Sequence, residues 1–161
     1  MSSADAPLPT APAVPGAPPS VLVVRAPYYR DIIDGMTWGA TRILGEAGAR
    51  HEILDVAGSF ELAQAIAIVV RGPQRFDGFV ALGCIVRGGT DHYDHICRET
   101  MAGLMQVALH HGIALGSGVL TVHSIEQAAA RSGRDGFNKG AEAAVASLLQ
   151  IAAARRFAVA P

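Results

Sequence analysis

The chain has 161 residues, half of them apolar and 17% charged, which suits one domain with a good core. Thirteen basic side chains against fourteen acidic ones leave a formal charge of -1, so no basic field exists to hold nucleic acid or an anionic membrane surface. The two cysteines, Cys84 and Cys97, form no CxxC pattern, which fits reduced thiols in a cytoplasmic protein better than a disulfide framework or a thiolate metal site.

Residues 1 to 20 hold six of the nine prolines and lack the basic start and apolar block of a secretory signal. They are expected to be a disordered tail before a domain spanning 21 to 161. No run approaches the roughly 18 to 20 apolar residues of a membrane helix. Past residue 20 the pattern predicts a strand at 21–25, a helix over 31–47 and a strand at 52–56, a βαβ unit. A helix over 61–71, a strand at 79–86, a helix over 93–111 and a strand at 117–122 continue the alternation. Ser124 with Gln127 three places on reads as a capping box opening a short helix. The last helix, 139–157, places Ala141, Ala144, Val145, Leu148, Leu149 and Ala152 on one buried stripe. The alternation predicts an α/β fold: a three-layer αβα sandwich around a four-stranded parallel sheet, its crevice at the carboxyl ends of the strands.

Each predicted strand runs into unusual loop chemistry at that end: Ala26-Pro27-Tyr28-Tyr29, Ala57-Gly58-Ser59-Phe60-Glu61, Arg87 to His92, and Thr121-Val122-His123-Ser124. The stretch GCIVRGGTDHYDHICRE, Gly83 to Glu99, stands out. Paired glycines between an apolar strand and a helix start let backbone N–H groups approach an anion, and the positive helix end favours one there. His92, in the first helical turn, would stand beside it as a proton carrier. Asp91, His92, Asp94 and His95 are crowded at a helix start, and the two histidines lack the i, i+4 spacing of paired ligands, so no metal site is expected. Met101, Leu104, Met105 and Ala108 form an apolar stripe for a core or a subunit contact.

Four ordered blocks, the aromatic after the first strand, AGSFELA, GCIVRGGTDHYDHICRE and GVLTVHSIEQAAARSGRDGFNKGAEAA, resemble the 6,7-dimethyl-8-ribityllumazine synthase family over residues 20 to 157. The resemblance implies a flavodoxin-like fold. It also implies condensation of 5-amino-6-(D-ribitylamino)uracil with 3,4-dihydroxy-2-butanone 4-phosphate to the lumazine, the penultimate step of riboflavin synthesis, without metal or organic cofactor.

Position by position, the resemblance implies that Tyr28 stacks on the pyrimidine and that Ser59, Phe60 and Glu61 contact the aminouracil, Glu61 accepting from ribityl hydroxyls. It implies that Cys84, Ile85 and Val86 meet the uracil edge through their backbone groups, and that Gly89, Thr90 and Arg131 bind phosphate. His92 takes the place of the catalytic proton donor, and Lys139 and Glu142 fall near the site. On the residues alone, Tyr28 could merely cover core, Ser59 and Glu61 could favour a helix start, Arg131 could be a solvated helix charge, and Lys139 with Glu142 a surface pair.

Some positions depart from the family pattern. Ala57 and Ala63 stand where prolines are usual, Pro27 where the residue is often basic, and Ser117 where a bulkier residue from the adjoining subunit meets the heterocycle. The resemblance implies a homopentamer and leaves a shell of twelve pentamers open. The competing reading is a pentameric or shell-forming protein that binds flavin precursors with little turnover.

Overall fold

Parallel strands buried on both faces need helices above and below, and that demand organises the chain. A computed structural model of the protein describes residues 9–134 and 136–157. The elements in order are β1 (Ser20–Arg25), α1 (Arg30–Glu46), β2 (Arg50–Asp55), α2 (Leu62–Arg71), β3 (Gly78–Val86), α3 (His92–His111), β4 (Ala114–Val122), α4 (Ile125–Ala129) and α5 (Lys139–Phe157). All strand pairings are parallel, in the order β2-β1-β3-β4. The predicted alternation and sandwich are therefore present. β4 starts three residues earlier than predicted, which puts Ser117 in mid-strand, and a 3-10 turn, Ser59–Glu61, precedes α2.

Side-chain alternation divides the core. Val21 and Val23 face α1 and α5, packing with Ile33, Met36, Ile43, Leu148 and Ile151. Leu22 and Val24 face α2 and α3, packing with Leu62, Ile66, Leu104 and Val107. Full burial of each such aliphatic side chain is worth about 1.5–3 kcal/mol.

The α5 stripe differs from its prediction in one arc. Ala141, Ala144 and Leu148 are buried, but Leu149 is exposed, and Gly140, Ala143, Ser147 and Ile151 turn inward instead. The cause is close contact with two elements at once. A Cβ at Gly140 would strike the Met36 carbonyl of α1, and one at Gly116 would strike the Ala143 carbonyl, so the helix seats on its small residues.

The expected tail differs too. Residues 1–8 lie outside the described residues, but from Pro9 onward the segment lies along the domain. Ala11 and Val14 pack against the core, Arg42 reaches the Pro9 carbonyl, and Arg155 Nη1 donates to the carbonyls of Pro15 and Ala17 at 2.8 and 2.7 Å. Proline carbonyls remain free to accept, and a proline-rich segment loses little entropy on docking.

Candidate functional site

In the order β2-β1-β3-β4 the connections reverse direction between β1 and β3, the place where such sheets open a crevice. β3 also outruns β1. Pairing between them ends at Arg25 with Leu82, with Ala26 N donating to Leu82 O at 2.9 Å, while β3 continues to Val86 along β4. In a parallel ladder successive residues address opposite neighbours. The backbone groups of Cys84 and Val86 therefore face the side that β1 has vacated, whereas those of Ile85 point to β4.

A cavity of about 540 Å³ fills this vacated space. Its walls are Tyr28 and Tyr29 after β1, residues 57–61 after β2, Cys84, Ile85 and Val86 of β3, and His92 and Ile96 of α3. Tyr28 is 76% exposed, its ring held edge-on to Tyr29 at a centroid distance of 5.1 Å. Ser59 is buried, and its hydroxyl occupies the space that a Cβ at Gly83 would need. Burial pushes the Cys84 thiol up to about 11, so it stays protonated and is no nucleophile at neutral pH.

The turn from Arg87 to Asp91 is exposed. Gly88 and Gly89 do not adopt positive φ, and a Cβ at either would meet nothing within 4 Å. Their value is open approach rather than unusual backbone, beside the first turn of the 20-residue helix α3, where the Asp91 carbonyl accepts from the N–H groups of Asp94 and His95 at 3.1 and 3.3 Å.

Arg131, Lys139 and Ser117 lie elsewhere. They line a second concavity of about 220 Å³ along residues 117–122 of β4, whose outer edge has no partner strand among the described residues. The two concavities share no residue. Arg131 Nη1 donates to the Gln127 carbonyl at 2.8 Å, and Lys139 pairs with Glu142 at 2.6 Å. One oxygen of Glu142 is buried without a partner among the described residues. A family model for 6,7-dimethyl-8-ribityllumazine synthase matches residues 18–155.

The chain belongs to the 6,7-dimethyl-8-ribityllumazine synthase family. It is 42% identical over 141 residues to the 6,7-dimethyl-8-ribityllumazine synthase of Paramagnetospirillum magneticum, covering 84% of this chain and 94% of that protein. The enzyme of the same name from Nitrobacter winogradskyi is 40% identical over 157 residues, 95% of each chain. That of Bartonella tribocorum is 40% identical over 139 residues, 86% of this chain and 92% of its own. Membership makes this chain a transferase of riboflavin biosynthesis.

Of the residues that the lumazine synthase resemblance singled out, the structure brings together Tyr28, Ser59, Phe60, Glu61, Cys84, Ile85, Val86 and His92. Gly89 and Thr90 sit on the exposed turn, and Ser117, Arg131 and Lys139 form the separate group. Three of the four strand ends expected to converge do so; β4 contributes instead along its outer edge. Tyr29, Ala57, Gly58 and Ile96, to which the resemblance gave no role, also line the wall. Ile96 stands at i+4 from His92, a spacing that places it on the same helix face.

Proposed function

We propose that this protein condenses 5-amino-6-(D-ribitylamino)uracil with 3,4-dihydroxy-2-butanone 4-phosphate to 6,7-dimethyl-8-ribityllumazine, releasing phosphate and water, as a cytoplasmic enzyme. The observation that carries this reading is the crevice beyond β1, where a projecting aromatic ring, an open strand edge, a carboxylate and an imidazole line one cavity. Tyr28 stacks on the flat pyrimidine, and the open backbone groups of Cys84 and Val86 pair with its edge. Glu61 accepts from ribityl hydroxyls, while Ser59 and Phe60 complete the wall.

The butanone phosphate lies at the turn of Gly89 and Thr90, against the positive end of α3. The pyrimidine amine attacks the ketone to give an imine and water, phosphate is then eliminated, and ring closure expels a second water. The sequence is redox-neutral, so proton transfers complete it. His92 carries those protons, a contribution of about 10²–10⁴-fold.

Arg131 supplies the countercharge for phosphate through its planar fork, with Lys139 and Glu142 beside it. The separation of its concavity from that of His92 supports a reaction centre completed by Arg131 of a neighbouring copy, and the family resemblance supplies the homopentamer as the assembly that brings them together. An apolar groove of about 380 Å³ beside Met101, Met105 and Leu109, with Leu109 75% exposed, supports a subunit contact on α3. Twelve such pentamers closing into a shell is the further assembly that the family allows.

The test is lumazine absorbance from both substrates with the wild-type chain, His92→Ala, Arg131→Ala and a protein-free blank. Each variant alone is expected to be strongly impaired. Co-assembled in equal amounts, they should regain activity at about a quarter of the sites, those drawing one intact residue from each subunit. Wild-type protein no faster than the blank would leave a binding or shell protein. Active wild type without regain in the mixture would place both residues in one subunit's site.

A further inference from the structure

The turn that carries Gly89 and Thr90 has little to hold it. Residues 87–92 are all exposed, and neither glycine has a neighbour within reach of an added Cβ. Yet the turn has to present His92 and the first N–H groups of α3 in one fixed arrangement. Its anchor is Arg87. The Arg87 backbone N–H donates to the Val122 carbonyl at 2.9 Å, tying the start of the turn to β4. Its side chain then spans the turn. Nη2 donates to Asp94 Oδ1 at 2.6 Å, and the guanidinium carbon stands 4.4 Å from the ring centre of Tyr93. Tyr93 is buried, its ring edge-on to His123 at 6.1 Å. The two residues gripped by Arg87 are those that immediately follow His92.

We infer that Arg87 and Asp94 are positioning residues, a clasp across the turn that fixes His92 relative to the anion position. This rests on the reaction proposed above. The pair is a poor candidate for a purely stabilising contact, because its side chains are 42% and 52% exposed and such pairs contribute little to folding. Arg87 is also directed at its own turn: one guanidinium face covers Tyr93 and Nη2 donates to Asp94. Its charge is balanced locally, which leaves the countercharge for phosphate to Arg131.

The test uses the full chain with Arg87→Gln, Asp94→Asn, the double variant and the conservative Asp94→Glu. Arg87→Gln keeps the acidic charge near the start of α3, so it separates the clasp from the helix dipole. Each single variant should lower kcat about 10-fold or more, since small misplacement of a reacting group is costly. The double variant should be no worse than either single, and Asp94→Glu should recover most of the loss. KM for the pyrimidine and the thermal midpoint should stay close to wild type.

Hydrogen–deuterium exchange of peptides covering 87–97 should quicken in both single variants while α5 peptides are unchanged, a result independent of turnover. Unchanged kcat together with unchanged exchange would overturn the clasp. So would a Asp94→Asn variant whose only effect is a lower KM for the butanone phosphate, because that outcome makes Arg87 an anion ligand. An inactive wild type whose exchange still responds to Arg87→Gln would overturn the proposed reaction and leave the clasp standing.

Discussion

Asn138 donates its side-chain amide to the Gly35 carbonyl in α1, 103 positions earlier, at 2.9 Å. The same nitrogen reaches the Gly133 carbonyl at 2.8 Å, and the side-chain oxygen accepts from the Ala141 N–H at 3.0 Å, capping α5. One buried amide thus ties the loop holding Arg131 to both helices of one face. Asn138→Ala leaves several buried backbone groups unpaired and should destabilise the chain by about 3 kcal/mol. Asn138→Asp, which loses the donors and sets a carboxylate among carbonyls, should cost more. Urea unfolding midpoints check both, with the slope unchanged for a simple loss of stability.

Burial raises the Cys84 thiol from its ordinary 9.0 to about 11, which sets a pH dependence with a definite sign. Below pH 9 the thiol is neutral in both folded and unfolded chains, and it adds no slope. Between pH 9 and 11 the unfolded chain ionises and the folded one resists, so stability falls as pH rises. Allowing for solvent screening, the loss is about 1–2 kcal/mol. Tyr29 and Tyr93, also raised by burial, titrate nearby, so the comparison is with Cys84→Ala, whose stability should fall less over the same interval.

Tyr28 projects into solvent with Tyr29 edge-on beside it, so little of its ring area contributes to folding. Tyr28→Ala should leave the thermal midpoint nearly unchanged and raise KM for the pyrimidine about 5- to 10-fold, the worth of one stacked ring. Ser117, exposed in mid-β4 beside Arg131, offers no apolar surface. Ser117→Phe should lower the same KM about fivefold if a neighbour's β4 closes the cavity. Steady-state kinetics with the pyrimidine varied reads both effects.

Arg155 binds the segment before β1 at two carbonyls and meets Asp77 at 3.3 Å, while Asp77 accepts from the Ser20 N–H at 2.8 Å. Arg155→Ala should release residues 9–19 without unfolding the sheet, at a cost of about 1–3 kcal/mol. Limited proteolysis should then cut within that segment first, leaving a protected fragment that starts near β1.

Much of this was legible beforehand because it depends on period and on turn chemistry. Continuous apolar runs separated by 3.6-period helices allow few solutions besides a doubly wound parallel sheet, and Gly88-Gly89 between such a run and a helical pattern marks the open turn found before α3. Helix ends were less legible. The capping box at Ser124 is only half present: Ser124 Oγ accepts from the Gln127 N–H at 3.4 Å, but Gln127 Oε1 takes the N–H of His123 instead. The Leu149 face failed because helical spacing marks an apolar arc without saying which part of it a neighbour covers.

The sequence by itself determined the alternation of elements, the parallel sheet and which loops carry the glycines, aromatics and titrating side chains, since local periodicity and backbone preferences carry that information. Only the tertiary structure decided how those loops are grouped. Strand order put the ends of β1, β2 and β3 around one cavity and sent Arg131, Lys139 and Ser117 to the outer edge of β4. It also decided that three extra residues on β4 extend the edge, that Asn138 binds a helix far away in the chain, and that Arg87 closes over the turn onto Asp94. Such contacts depend on the distances between packed elements, which no local pattern encodes.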